Sequence, residues 1–325
     1  MASTRITLVG CEPIGTLLGL ALKAVNKNFE VVAHDKKREA AREALKLKAA
    51  DREEWNLPKA CAGAAIVFVT TPPDQVELTL QSIGPDLMPG ATVCVVGGSN
   101  VVNLALADKH LPESVAFVSS SLVLHPVLID APHDAAKLKG AMWSLVGRGS
   151  AEHLGGFAGF VEALGARPLF VDARERDGMA LSVDVLPQIL AGLLMATVSK
   201  DAAWRERGWA AGADFAAATA GTTNAAALVD ALLADKKASS HWLNQFMREC
   251  MALRDAIEAE DGDAAKNQLA AAAERRERWL DDWRAGRDSG AVPIESQGRS
   301  MLGMFVGQRM ADMFGGRPSG DKGRK

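Results

Sequence analysis

The fold is decided by residues Arg5–Leu20, RITLVGCEPIGTLLGL. The apolar run Ile6–Val9 predicts a buried strand, Gly10 predicts a tight turn, and Gly15 lies where a helical apolar pattern begins. A strand, a glycine turn and a helix N-terminus together form the cradle that binds the pyrophosphate of a dinucleotide. The backbone N–H groups and the dipole of that helix favour an anion. The stretch therefore predicts a nucleotide-binding domain of the Rossmann type.

The glycine fingerprint of this turn is incomplete. The usual pattern G-x-G-x-x-G places glycine at position 12, where this chain has Glu12. A carboxylate repels a pyrophosphate, and a side chain at this point limits how closely the phosphates approach, so we expect Glu12 to weaken cofactor binding. The candidate cofactor-binding residues of the turn are Gly10, Cys11, Glu12, Pro13, Ile14 and Gly15.

The second predicted strand, Phe29–Ala33, leads to a further candidate residue, Asp35. An acidic side chain at the tip of this strand can accept hydrogen bonds from the adenosine ribose diol, which slightly favours NAD over NADP. The adjacent Lys36 and Lys37 could instead contact a 2′-phosphate, so both cofactors stay open. In the alternative interpretation, Asp35 only caps the following helix.

Two more predicted strands end in loops at which a ligand could bind. Ala65–Val69 is followed by Thr70, Thr71 and Pro72, and Thr92–Val96 is followed by the loop GGSN, residues 97–100. Ligands of open α/β sheets bind outside the carboxyl ends of the strands. We therefore assign the first loop to the cofactor site, whereas the second is also explained by ordinary turn chemistry.

The residue pattern divides the chain into three parts. Strands and helices alternate over residues 1–171, which is typical of a doubly wound parallel sheet. Residues 172–287 are rich in alanine and lack strand signals, which predicts an all-helical domain; the apolar stretch 180–198 within it is expected to be buried on more than one side, for example against a second subunit. Residues 288–325 form a Gly/Ser linker and a tail.

The Met-rich stretch 301–314 of the tail carries apolar side chains on one helical face. It either docks on this protein or its dimer mate, or forms a surface for another partner, since Met-rich faces are adaptable.

Composition excludes several classes of function. A net charge of −3 and a pI near 6.1 give no reason to expect binding to nucleic acid. Apolar runs are all shorter than the roughly 18 residues of a membrane span, and Met1–Thr4 leads directly into the first strand without a signal peptide. The cysteines are scattered, which predicts reduced thiols in a cytoplasmic protein and no metal site; they are Cys11, Cys61, Cys94 and Cys250.

In their order and spacing, these stretches resemble the prephenate/arogenate dehydrogenase family over roughly residues 4–285. The resemblance rests on the glycine turn, on Ser99 after a glycine loop, on His125-Pro126, and on the segments KGAMW (139–143), ALGAR (163–167), DARERD (172–177) and DVLPQ (184–188). It implies a nicotinamide-dependent dehydrogenase with a helical dimerisation domain. It also implies that His125 is the general base on the substrate hydroxyl and that Ser99 lies close to that hydroxyl and the nicotinamide.

The chain departs from the family pattern where the substrate would bind. Val185 and Gln188 stand where the family has histidines, and Ala220 stands where it has an arginine for the ring carboxylate. A buried carboxylate would lose a charge-assisted partner worth on the order of 1.5–3 kcal/mol. We therefore expect the substrate to differ from prephenate.

Two functions stay open from sequence. The first is an NAD(P)-dependent dehydrogenase that accepts a different alcohol-type substrate, which the retained Gly10, Gly15, Asp35, Ser99 and His125 favour. The alternative is a catalytically impaired dimeric protein with a binding or scaffolding role through its helical domain and tail, which Glu12 favours.

Overall fold

The computed structural model describes residues 3–124, 126, 134–149, 151–221 and 224–285. The described chain divides into two compact units, the first up to Val171 and the second over Asp172–Asp281. His125, the linker and the Met-rich stretch 301–314 lie outside the described residues.

The first unit is built on one eight-stranded sheet with the strand order β3-β2-β1-β4-β5-β6-β7-β8. The chain passes outward from β1 in one direction, then crosses back to β4 on its other side. Ligands of such sheets bind at this switch point. The strands are β1 (Arg5–Val9), β2 (Glu30–His34), β3 (Arg52–Glu53), β4 (Ile66–Val69), β5 (Thr92–Val96), β6 (Ala116–Val123), β7 (Met142–Arg148) and β8 (Arg167–Phe170).

Helices cover both faces of this sheet, which confirms the doubly wound architecture. One core gathers Phe68, Trp143, Phe157 and Phe160 on one face, and the other gathers Val67, Val93 and Phe117 with side chains of the helices opposite. Residues of each strand alternate between the two cores, as the pleat requires. The helices are α1 (Ile14–Val25), α2 (Arg38–Lys46), α3 (Leu57–Cys61), α4 (Val76–Ile83), α5 (Asn100–His110) and α6 (Ala151–Ala163).

The sheet differs from the sequence prediction in two respects. It is mostly parallel, but β7 pairs antiparallel with β6, and β8 is parallel to β7, so the last two strands run against the other six. In addition, β6 continues to Val123, whereas the apolar pattern predicts its end at Val118. Seven residue pairs with β7 extend the strand past its apolar part, so that the strand also includes Ser119, Ser120 and Ser121.

The second unit is helical throughout its described residues. It begins with α7 (Ala173–Ala180), continues through a π-helical turn, Leu181–Val185, into α8 (Leu186–Ser199), and ends with two long helices. The remaining helices are α9 (Trp204–Ala210), α10 (Ala213–Thr219), α11 (Ala225–Ala234), α12 (Lys236–Glu258) and α13 (Gly262–Arg284).

The apolar stretch 180–198 is only partly buried within one chain, and no second subunit is present to test the expected burial on more than one side. Val183 is 65% exposed and Leu193 is 50% exposed, while Leu181 and Ala191 are buried. A single chain has too few neighbouring helices in this unit to cover the whole circumference of α8.

The apolar character of this region also affects the prediction of no membrane span. By length and composition alone, the continuous helical segment Ala173–Ser199 could cross a bilayer: it has 27 residues, and its most apolar window of 18 residues has a mean hydropathy of 1.7, with 11% of that window buried. The core helix of a soluble protein passes the same test, so one such helix is weak evidence.

Candidate functional site

The turn between β1 and α1 has the geometry of a phosphate-binding glycine turn. Gly10 has φ +93°, a conformation that side chains rarely adopt, and its N–H donates to the carbonyl oxygen of His34 at 2.9 Å. A Cβ on Gly15 would lie 1.9 Å from the carbonyl oxygen of Gly10. Only glycine fits at position 15 without moving the backbone, so both glycines are needed for the turn itself.

The N-terminus of α1 faces outward with unused donors. Its N-cap residue, Pro13, makes no side-chain capping hydrogen bond, and the first turn contains no acidic residue. The N–H groups of Ile14 and Gly15 donate to none of the described residues, whereas the next two donate to Cys11 and Pro13. Unused N–H groups at the start of a helix attract an anion.

Asp35 joins the glycine turn to the loop after β2. Its Oδ2 accepts a hydrogen bond from the N–H of Cys11 at 2.7 Å, and its Oδ1 accepts one from the N–H of Lys37 at 2.8 Å. The contact with Lys37 closes a local turn and does not cap α2, whose N-cap residue is Lys37 and which has no side-chain capping bond, so the capping interpretation of Asp35 is wrong. The other contact orients the turn that we expect to hold the pyrophosphate.

Glu12 lies at the mouth of the turn. Its carboxylate is 65% exposed, and its Oε2 is 3.8 Å from Nζ of Lys37. Because both side chains are largely exposed, the pair contributes at most about 1 kcal/mol. A phosphate could therefore displace the Glu12 side chain at low cost, although its negative charge remains nearby.

Thr70 and Thr71 follow β4, directly beside the glycine turn. The hydroxyl of Thr70 donates to the carbonyl oxygen of Gly10 at 2.6 Å, and Thr70 also contacts the space where Gly15 would carry a Cβ. The hydroxyl oxygen of Thr71 is buried and has no hydrogen-bond partner among the described residues. Pro72, next in the loop, is exposed. An unpartnered buried hydroxyl in a loop at the switch point is a group that a ligand could satisfy.

Ser99 lies at the carboxyl end of β5, as the N-cap of α5. Its hydroxyl oxygen accepts a hydrogen bond from the N–H of Val102 at 3.2 Å. The turn-chemistry interpretation is therefore correct. The capping hydrogen bond also holds the hydroxyl at the same sheet edge as the glycine turn. A second role at a substrate stays a prediction.

A buried polar network, which the sequence analysis missed, supports this loop. Nδ2 of Asn103 donates to the carbonyl oxygen of Gly97 at 2.9 Å and to the hydroxyl of Ser119 at 3.1 Å, and that hydroxyl donates to Oδ1 of Asn100 at 2.8 Å. All three polar side chains are at most 3% exposed. The signal that could have indicated them is a pair of asparagines in the first turn of α5, opposite the serines of β6.

Cys11 is a structural residue of the turn and is not a nucleophile. It is fully buried, and its Sγ lies 3.7 Å from the carbonyl oxygen of His34. Burial, together with the nearby charges of Asp35 and Glu12, raises the pKa of its thiol to about 12. A thiol with such a pKa is protonated at neutral pH and unreactive.

Among the described residues, no group of three or more His, Cys, Asp or Glu side chains could hold a metal ion. The second unit contains a groove of about 600 Å³, lined by Leu194, Trp204, Arg207, Phe215 and their neighbours, with the Arg207 guanidinium paired to Asp201 at 2.9 Å.

Comparison with known proteins gives a family match within the first unit. The family model "Prephenate dehydrogenase, nucleotide-binding domain" matches residues 18–128. This segment is therefore similar to the nucleotide-binding domain of prephenate dehydrogenases. The match begins three residues after Gly15, so the glycine turn with its unusual Glu12 lies outside it. A search of curated proteins gives no match.

Solved structures of prephenate dehydrogenase relatives share the fold of the chain. The Aquifex aeolicus prephenate dehydrogenase in complex with hydroxyphenyl propionate and NAD⁺ is 17% identical, with a TM-score of 0.67, and the match covers 86% of this chain and 99% of that one. The Synechocystis arogenate dehydrogenase is also 17% identical, with a TM-score of 0.60 and coverage of 85% and 100%. At this identity the likeness shows the fold alone.

Proposed function

We propose that this chain is an NAD(P)-dependent dehydrogenase that oxidises an alcohol-type substrate other than prephenate. The observation that carries the proposal is the glycine turn: Gly10 and Gly15 shape it, Asp35 orients it, and the first N–H groups of α1 are left unused. The nucleotide-binding family match of the same unit supports it.

The residues present fit a dinucleotide. The unused N–H groups of α1 would bind its pyrophosphate, and Thr71 would present its hydroxyl to the cofactor after rotation about χ1. Glu12 opposes binding, but its exposed carboxylate can turn away at a cost of about 1 kcal/mol. A bound nicotinamide would supply the hydride acceptor.

The proposed chemistry of the chain is a proton transfer at the substrate hydroxyl. His125 accepts the hydroxyl proton while the carbon beneath it gives up a hydride, which leaves a carbonyl product. An imidazole suits this step because its unperturbed pKa, near 6.5, lies close to neutral pH. Ser99 is proposed to orient the hydroxyl, since its capping bond holds it at the carboxyl end of β5. The roles of both residues rest on the family resemblance.

The substrate is proposed to be less acidic than prephenate. The positions that carry imidazoles in the family signature hold Val185, at the end of the π-helical turn, and Gln188 in α8. Arg176, in α7, is a buried cation of the same segment, and its guanidinium is paired with Asp184 at 3.2 Å. A cation that already has a carboxylate partner has less to offer to the carboxylate of a ligand.

A binding experiment tests the proposal first. NADH and NADPH are titrated while the thermal transition of the protein is followed, and we expect at least one to raise it. Glu12→Gly should tighten binding about tenfold or more, since it removes both the charge and the side chain, whereas Glu12→Gln should recover only the part due to charge. No stabilisation of wild type or of Glu12→Gly by millimolar dinucleotide would reject the dehydrogenase function.

A turnover experiment then tests His125. His125→Asn should keep cofactor affinity and lose activity by a factor of roughly 10²–10⁴, the usual contribution of a general base. His241→Asn, on the exposed surface of α12, is the matched control. Activity retained in His125→Asn would reject this histidine as the base.

We propose that the protein is a homodimer in the cytoplasm, joined through its helical unit. The exposed apolar side chains of α8 support this, because large exposed apolar patches mark interfaces. Light scattering should give twice the chain mass of 34.4 kDa, and Leu193→Asp should lower it, whereas Lys46→Asp on the first unit should not. A monomeric wild type would contradict the dimer.

The second candidate function is a dimeric binding or scaffolding protein without turnover, which the placement of Glu12 in the turn favours. Its partner would contact the helical unit or the Met-rich stretch 301–314. This candidate predicts that dinucleotides bind neither wild type nor Glu12→Gly. Deletion of 301–325 would then abolish partner capture and leave the dimer intact. The two candidates thus give opposite results in the same titration.

A further inference from the structure

We propose that the loop between β2 and α2 binds a 2′-phosphate, so that the cofactor of this chain is NADP(H) and not NAD(H). The inference rests on the proposed function, because it names which dinucleotide the same site takes. It reverses the slight preference for NAD that the sequence pattern gives.

The preference for NAD depends on a carboxylate that is presented to the ribose diol. In the structure, each oxygen of Asp35 already accepts a hydrogen bond from a backbone N–H, that of Cys11 at 2.7 Å and that of Lys37 at 2.8 Å. These short bonds hold the carboxylate against the two loops. Asp35 therefore positions the loops, and one lone pair of each oxygen is already used and not offered to a diol.

The residues that follow Asp35 put cations where a helix favours anions. Lys36, Lys37 and Arg38 are consecutive and exposed, and α2 begins at Arg38 with Lys37 as its N-cap residue and no side-chain capping bond. Positive charge at a helix N-terminus is unfavourable by about 0.3–1 kcal/mol per group. Local conflicts of this kind are expected at functional sites, and a bound dianion would remove this one.

Two of these cations have no partner among the described residues. Lys37 is 3.8 Å from Glu12, but the side chains of Lys36 and Arg38 make neither an ion pair nor a hydrogen bond with the residues that the structure describes. The acidic neighbours are engaged elsewhere: Glu53 lies 3.9 Å from Arg42, and Oε1 of Glu54 accepts from the N–H of Asn56 at 3.0 Å. Glu39, in the first turn of α2, is exposed as well, so residues 36–39 offer three cations and one carboxylate to a ligand.

A shallow cleft of about 10 Å³ lies beside the loop; it is too small to enclose an adenine, which would lie against its open side. It is lined by Asp35, Arg38, Ala41, Glu53, Glu54 and Trp55. The indole of Trp55 is 74% exposed, although tryptophan is normally covered. A base could stack on this indole while Arg38, in the same cleft, reaches the 2′-phosphate of the attached ribose.

The test separates the 2′-phosphate from the rest of the cofactor. Binding of 2′,5′-ADP is compared with binding of AMP, two probes that share the adenosine 5′-phosphate and differ only in the 2′-phosphate, so that any effect of Glu12 on the shared phosphate cancels in the comparison. NADPH and NADH are titrated in parallel. We expect 2′,5′-ADP and NADPH to bind at least tenfold more tightly than AMP and NADH.

Variants assign the effect to the loop. Lys36→Ala and Arg38→Ala should each weaken 2′,5′-ADP and NADPH about three- to tenfold and leave AMP and NADH unchanged, as expected for the loss of one charge-assisted contact. Lys46→Ala is the control, because Lys46 lies on the same helix but pairs with Glu43 at 3.1 Å.

The possible failures are distinct. Equal or tighter binding of NADH and AMP would overturn the choice of NADP(H) while leaving the dehydrogenase proposal intact. Binding of 2′,5′-ADP with no binding of either dinucleotide would support the phosphate site and reject the proposed function. A preference for 2′,5′-ADP that survives both variants would overturn the assignment to Lys36 and Arg38.

Discussion

The adjacent residues Thr70 and Thr71 offer a test in which the same substitution has opposite effects. The hydroxyl of Thr70 donates to Gly10 at 2.6 Å, whereas that of Thr71 is buried without a partner among the described residues. Valine replaces each hydroxyl by a methyl group of similar size. The change removes a hydrogen bond at Thr70 and removes an uncompensated buried polar group at Thr71.

The magnitudes follow from these environments. Thr70→Val should lower the free energy of unfolding by about 0.5–1.5 kcal/mol, the net value of one hydrogen bond, and more if the carbonyl of Gly10 stays unsatisfied. Thr71→Val should raise it by about 1 kcal/mol, the lower end of the penalty for an unsatisfied buried group. For a unit of this size, each kcal/mol corresponds to about 2–4 °C in Tm.

Thermal melting followed by circular dichroism, without cofactor, measures both variants. Thr71→Val should also weaken dinucleotide binding about tenfold if its hydroxyl rotates toward the ligand, so this variant would be more stable and bind less well. A Thr71→Val protein that melts below wild type would refute the reasoning, because its hydroxyl would then have a stabilising partner. Equal effects at both positions would refute it as well.

Three further predictions concern the glycine turn, the polar network beneath the β5–α5 loop, and the ion-paired carboxylate of Glu30 at the start of β2. Gly15→Ala should lower the free energy of unfolding by at least about 1–3 kcal/mol and abolish cofactor binding, because its Cβ would lie 1.9 Å from a backbone oxygen. Gly178→Ala is the control: this glycine lies in open space on α7, so the substitution should be neutral or stabilising in thermal melts. Asn103→Ala should cost about 1–3 kcal/mol in urea titrations, since it leaves buried partners unsatisfied, and the exposed Asn28→Ala should cost almost nothing. Burial opposes ionisation of Glu30, but hydrogen bonds from Arg52 and Arg5 hold the pKa of its carboxyl below the usual 4.5. The contribution of Glu30 to stability is therefore present above pH 4.5 and is lost as the pH falls through the lowered pKa. Glu30→Gln should reduce this loss of stability at low pH, which melts between about pH 6 and pH 3 measure.

Much of the first unit could be predicted because its signals are local. The apolar runs predict β1, β2, β4 and β5 to within one residue at each end. The glycine spacing of the turn predicts its shape, since positions 10 and 15 tolerate no side chain. The two-residue strand β3 was missed because it is too short and polar to give a pattern.

The candidate site could be predicted only in part. Gly10, Gly15, Asp35 and the threonines were placed on the correct edge, because consecutive parallel strands bring their carboxyl ends together. The pairing of Asp35 with Cys11, the network of Asn103 and Ser119, and the isolation of Thr71 could not be predicted. Each depends on atoms from segments that are distant in sequence, whose distance is set by strand order and loop path.

The sequence by itself determined that a strand, a glycine turn and a helix begin this protein and that a helical domain follows the α/β domain, because backbone preference and apolar period act over a few residues. Only the tertiary structure decided that β7 runs antiparallel to β6 and that the apolar face of α8 is exposed in one chain. It also decided that both carboxylate oxygens of Asp35 accept hydrogen bonds from backbone N–H groups. Hydrogen bonds and burial depend on which distant groups meet, and that is fixed only when the whole sheet has formed.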